Sequence, residues 1–175
     1  MIWCRGVIRP PLAVVLVALV VIALGETAGA AMSRLREPIQ RWAQARIAAN
    51  PAAHGLSGSP EYDDEVRART IFLAEAGLSF FHTHAEGMGL ILFFTSTLVA
   101  SVVRGWWVRS GLYLLLTLGA LFPVGYLVYG VGVLEWGRDA GVEFAERVVL
   151  TALGSAALAG LVGLGGALLA GRRHG

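Results

Sequence analysis

The sequence predicts an all-α integral membrane protein, a four-helix bundle with a short outer amphipathic helix. Three observations predict it. Of 175 residues, 56% are hydrophobic and only 15% charged, where a soluble domain carries about 25% charged residues. Four apolar segments recur, at about 11–31, 78–103, 111–134 and 148–170. The charges between them sort by sign in the way membrane topology requires.

The first segment is the shortest. Its uninterrupted apolar core, Leu12–Leu24, is preceded by Arg5 and Arg9, and Ala28-Gly29-Ala30 has the small residues of a cleavage site. Those features also describe a secretory signal peptide. The reading favours a retained span, because Val7–Ala31 is long enough to cross ~30 Å of hydrocarbon if Arg9-Pro10-Pro11 starts at the interface.

Residues 32–77 read as an outer helical segment rather than a plain linker. Glu37-Pro38 opens a short helix that Asn50-Pro51 closes, proline being accepted in a first helical turn. Leu35, Ile39 and Trp42 share a face, which either lies on the membrane surface or packs against the bundle. His54-Gly55-Leu56-Ser57-Gly58 is a turn. Ser59-Pro60, followed by Glu61, Asp63, Asp64 and Glu65, predicts a capped helix start with acids at the positive end of the dipole. From Pro60 the helical pattern runs without a proline to Val103, about 65 Å at 1.5 Å per residue. This second span should project beyond the membrane.

In the third span Gly119, Pro123, Tyr126 and Gly130 share a face. Pro123 should kink the helix and free a carbonyl for a neighbour to satisfy. Tyr126 and Tyr129 reach toward an outer cavity near Glu86, or join Trp136 in an interfacial belt. The fourth span carries a small-residue stripe, Ser155, Ala159, Gly163, Ala167 and Gly171, expected to pack inside the bundle.

All 14 basic residues are arginine, scattered along a chain of net charge +2; this is not the clustered basic face of a nucleic-acid-binding protein. Cys4 is the only cysteine, which excludes an intramolecular disulfide. If the N-terminus, the 104–110 loop and the C-terminus share one side, that side collects Arg5, Arg9, Arg104, Arg109, Arg172 and Arg173 without an acid. The other side collects eight arginines and ten carboxylates. Both termini are therefore expected in the cytoplasm of a bacterial inner membrane.

One stretch departs from the apolar pattern: Phe80–Phe94 reads FFHTHAEGMGLILFF. On a helix His82 and Glu86 share a face, with Glu75, Ser79, Thr83, Gly89, Thr97 and Ser101 near it, while His84 and Met88 lie opposite. Ionisable groups are costly against lipid, so the polar stripe is expected to face the bundle interior. Glu26, Glu135, Asp139, Glu143 and Glu146 fall at the same outer level. His82, Glu86, Glu26 and Glu135 are thus candidate ligands for zinc, iron, copper or manganese. The spacing matches no established metal motif, and a hydrogen-bonding role for the same residues is the competing reading. His82 and His84 cannot ligate opposite faces of one haem; His84 with Met88, or a haem shared between chains, is the redox alternative.

The His-Thr-His stretch, with Phe-Pro-Val-Gly-Tyr-Leu in the next span, resembles small bacterial four-span membrane proteins of uncharacterised function. Over residues 75–150 it is distantly similar to the histidine-bearing core subunit of haem–copper oxidases. That core needs more histidines on more helices than this chain has, so the resemblance does not imply oxidase catalysis. The expectation is an accessory membrane protein with an outward-facing His/Glu site. The alternatives are a haem-binding redox subunit and a small proton-coupled transporter. The expected partners are the lipid bilayer and either a second copy or the subunits of a membrane complex.

Overall fold

The helices begin and end where the sequence breaks them. The structure, a computed structural model, describes residues 9–172, with side chains described through residue 170; Cys4, Arg5, Arg173 and His174 lie outside the described residues. Helix α1 (Leu12–Arg34) starts after Pro10-Pro11, and a single non-helical residue, Leu35, separates it from α2 (Arg36–Ala49). A 3-10 turn at Pro51–His54 ends at Gly55, whose φ of 65° is a left-handed conformation that glycine adopts without strain. Helix α3 then runs unbroken from Pro60 to Val102, 43 residues, as the absence of proline predicts. Its start is capped differently from the expectation. The Ser59 hydroxyl makes no cap bond; buried Asp63 accepts the Ser57 N–H at 2.8 Å and the Gly58 N–H at 3.0 Å instead.

The third span is two helices, α4 (Trp106–Ala120) and α5 (Val124–Trp136), broken at Leu121–Pro123. The proline disturbs the helix where expected, but no neighbouring segment has to rescue the backbone. Residues 121–126 tighten to i→i−3 bonds of 2.9–3.1 Å, among them Phe122 N–H to Gly119 O and Gly125 N–H to Phe122 O. After Gly137 (φ 83°), α6 (Arg138–Phe144), a π-helical turn (Ala145–Leu150) and α7 (Thr151–Arg172) follow end to end. The fourth span therefore starts earlier than residue 148. No strand occurs among the described residues.

Helix α1 packs on α3, α3 on α5, and α4 on α7. One apolar cluster joins Val14, Val99, Val103, Leu112 and Leu164, so the start of α1, the end of α3, the start of α4 and the end of α7 share one end of the bundle. Ala43, Ile47 and Leu134 cluster at the other end, with Ile71 and Ala74 against them. Helix α2 is thereby docked through Ala43 and Ile47, while Leu35 and Trp42 of the expected face stay exposed. It presents one face to the bundle and another outward.

Two expectations about helix faces are corrected. Thr83, Thr97 and Ser101 do not face the interior; each is exposed and donates its hydroxyl to the carbonyl four residues back, at 3.1, 3.0 and 2.8 Å. A hydroxyl satisfied by its own helix carries little penalty toward lipid. The interior face of α3 is instead Phe81, Ala85, Gly89, Leu92, Ser96 and Val99. On α7, Ser155 and Ala159 of the expected stripe are exposed, and Ala157 and Gly160 meet Gly119 and Leu116 of α4 in their place; further along, Gly163 lies beside Leu112 and half-buried Ala167 packs on the apolar cluster, as expected.

Candidate functional site

His82 is seated by α1. A Cβ added at Gly29 would lie 2.6 Å from His82 Cε1 and 3.0 Å from Nε2, so the ring rests on a surface that only glycine leaves open. His82 Nδ1 is 2.9 Å from Gly25 O on α1, and Glu86 Oε1 is 2.9 Å from the same nitrogen. A carbonyl oxygen only accepts, so Nδ1 carries the proton and donates it; in the neutral ring the lone pair is left on Nε2. The side chains are about one-third exposed, 31% for His82 and 37% for Glu86. The two side chains that share a helical face thus meet each other. Glu86 stands behind the imidazole as a partner of Nδ1.

The other candidate ligands do not join them. Glu26 is exposed. Glu135 accepts Arg46 Nε at 2.6 Å and pairs with a second guanidinium nitrogen as well. Through that hydrogen bond first and its charge second, it pushes the Arg46 guanidinium above its ordinary value. This contact belongs to the docking of α2 and the following turn onto the end of α5. Asn50 Nδ2 donates to Glu135 O at 3.3 Å, and buried His54 donates from Nε2 to Leu134 O at 3.1 Å. Glu143 pairs with Arg147 at 2.7 Å, and Asp139 and Glu146 line a separate cleft with Tyr129 and Arg138. Among the described residues no three of His, Cys, Asp and Glu gather as a metal ion needs.

His84 has a different setting. Its Nδ1 donates to Phe80 O one turn back at 2.9 Å, and its ring lies 4.8 Å from Tyr126 and 5.9 Å from Phe122, centroid to centroid. Tyr126 therefore packs on His84 at the α4–α5 break and is not turned toward Glu86. Met88, one turn along α3, is half-buried.

What sequence reasoning missed is the concave surface beside the pair. A cleft of about 610 Å³ opens between the end of α1, the start of α2 and residues 72–80 of α3, with Gly29, Arg36, Phe72, Glu75 and Phe80 among its walls. His82 packs on Gly29 and so lies next to its inner end. Glycines at 25 and 29 were the available signal: they are spaced one helical turn apart on α1, the span against which His82 packs.

Four helices are long and apolar enough to cross a membrane, as fits a multi-pass membrane protein. Compared with known proteins, the chain matches no family model, no curated protein and no solved structure.

Proposed function

We propose that the chain is an accessory, non-catalytic membrane protein. Its outward-facing His82–Glu86 pair would present one oriented imidazole nitrogen to a ligand, with a transition-metal ion as the ligand class. The observation that carries this reading is the commitment of His82 Nδ1 to Gly25 O and Glu86, which leaves Nε2 as the free nitrogen. A metal-bound histidine commonly donates its other ring N–H to a carboxylate or backbone carbonyl, which fixes ring orientation and raises basicity. Water or a second chain supplies the remaining ligands. The arginine distribution supports an orientation with the termini in the cytoplasm and the pair on the outer side.

The test is zinc binding to the protein in lipid nanodiscs, by calorimetry and by elemental analysis per chain. His82→Ala should abolish near-stoichiometric uptake, and Glu86→Gln should weaken it about 10–100-fold, as loss of a ligand's hydrogen-bond partner does. Failure of the wild-type protein to take up zinc, copper, iron or manganese overturns the metal reading. The pair is then a clasp between α1 and α3.

A further inference from the structure

We propose that the cleft between α1, α2 and α3 holds one phospholipid of the surrounding bilayer, of the class whose headgroup carries both a phosphate and a primary ammonium. This goes beyond the reading of the His82–Glu86 pair, with which the cleft shares only the Gly29 wall. The cleft's volume of about 610 Å³ falls in the ~300–1,000 Å³ range of ligand sites. Its walls are mostly apolar: Ile39, Phe72, Leu78 and Phe80 face into it, and Phe72 and Phe80 are 68% and 50% exposed. Apolar surface of this kind is covered in a bilayer by an acyl chain.

The two charges in the cleft select the headgroup. Arg36 and Glu75 both line it, yet they are not ion-paired to one another, and Arg36 has no acidic partner among the described residues. Glu75 Oε1 is held by Gln40 Nε2 at 2.8 Å, which fixes the carboxylate in the wall and leaves its second oxygen free of side-chain partners. A cation and an anion held apart in one cleft complement a zwitterion. The guanidinium matches a phosphate bidentately, and the carboxylate matches an ammonium. The charges also stand at the correct end. Arg36 opens α2 at the outer side, and Gly29 and Phe80 lie nearer the membrane interior, so the headgroup faces water and the chains run down α3.

The experiment is native mass spectrometry of the full chain, released from membranes containing equal amounts of phosphatidylethanolamine, phosphatidylglycerol and phosphatidylcholine with identical acyl chains. One phosphatidylethanolamine should be retained per chain, with a preference of about tenfold or more over the other two, the size expected of one charge-assisted hydrogen bond. Arg36→Ala should lose retention of all three lipids, and Arg36→Lys should restore part of it. Glu75→Gln should keep a bound phospholipid but remove the preference for the primary ammonium. Equal retention of the three lipids by the wild-type chain overturns the proposal. So does retention that Arg36→Ala leaves unchanged in a variant whose circular dichroism is native.

Discussion

Replacing Gly25 with alanine tests the seam that orients His82. A Cβ at Gly25 falls 2.9 Å from Ala85 Cβ, 3.2 Å from His82 O and 3.3 Å from Glu86 N. None of these atoms is the end of a flexible side chain, so α1 must back away from α3. Moving from 2.9 Å to the 3.4 Å of ordinary contact opens a gap of about 0.5 Å, enough to forfeit about a quarter of the local dispersion attraction. The same retreat stretches the His82–Gly25 bond from 2.9 Å to about 3.4 Å, outside the normal hydrogen-bond range. Overpacking costs about 1–3 kcal/mol and the weakened hydrogen bond up to about 1 kcal/mol. The helix propensity of alanine over glycine offsets about 0.8–1.0 kcal/mol. The expected net loss is about 0–3 kcal/mol, about 1.6 kcal/mol at the middle of each range, read from reversible unfolding in detergent micelles by circular dichroism. Histidine 15N spectra should show His82 losing its fixed Nδ1–H form. Gly87→Ala is the matched comparison, because a Cβ there meets nothing within 4 Å, and it should be neutral or slightly stabilising. Equal stabilities of the two variants would refute the close α1–α3 seam.

Two further outcomes follow from the fold. Arg46→Glu should undock α2 and increase proteolysis between residues 35 and 59, while the exchanged pair Arg46→Glu with Glu135→Arg should restore protection; unchanged proteolysis of Arg46→Glu would mean that the apolar contacts of Ala43 and Ile47 hold the segment alone. Ala159→Leu should change stability by less than about 0.5 kcal/mol, as exposed substitutions do. Gly119→Ala, whose Cβ would lie 2.5 Å from Ala157 Cα, should cost about 1–3 kcal/mol; the reverse order in the same unfolding assay would place the α4–α7 contact on the wrong face of α7.

The sequence by itself determined that four helices suit a membrane and where the prolines break them, but not the start of the fourth span at Arg138. Those properties are local: mean hydropathy decides whether a segment suits a membrane, and Pro38, Pro51, Pro60 and Pro123 each mark a start, stop or break whatever lies around them. The 43-residue α3 was legible for the same reason, as was the placing of His82 and Glu86 on one helical face. Tertiary structure decided which face of each helix turned inward. Polarity was a poor guide there, because Thr83, Thr97 and Ser101 satisfy themselves on their own helix, and the contacts are set by shape, at Gly25, Gly29 and Gly89 between α1 and α3 and at Gly119 between α4 and α7. It also decided which charges meet. Acids at one depth in a membrane need not share a direction around the bundle axis, so Glu135 turned to Arg46 while Glu86 stayed with His82. Depth is a one-dimensional property of the chain; direction belongs to the packing of one helix against another.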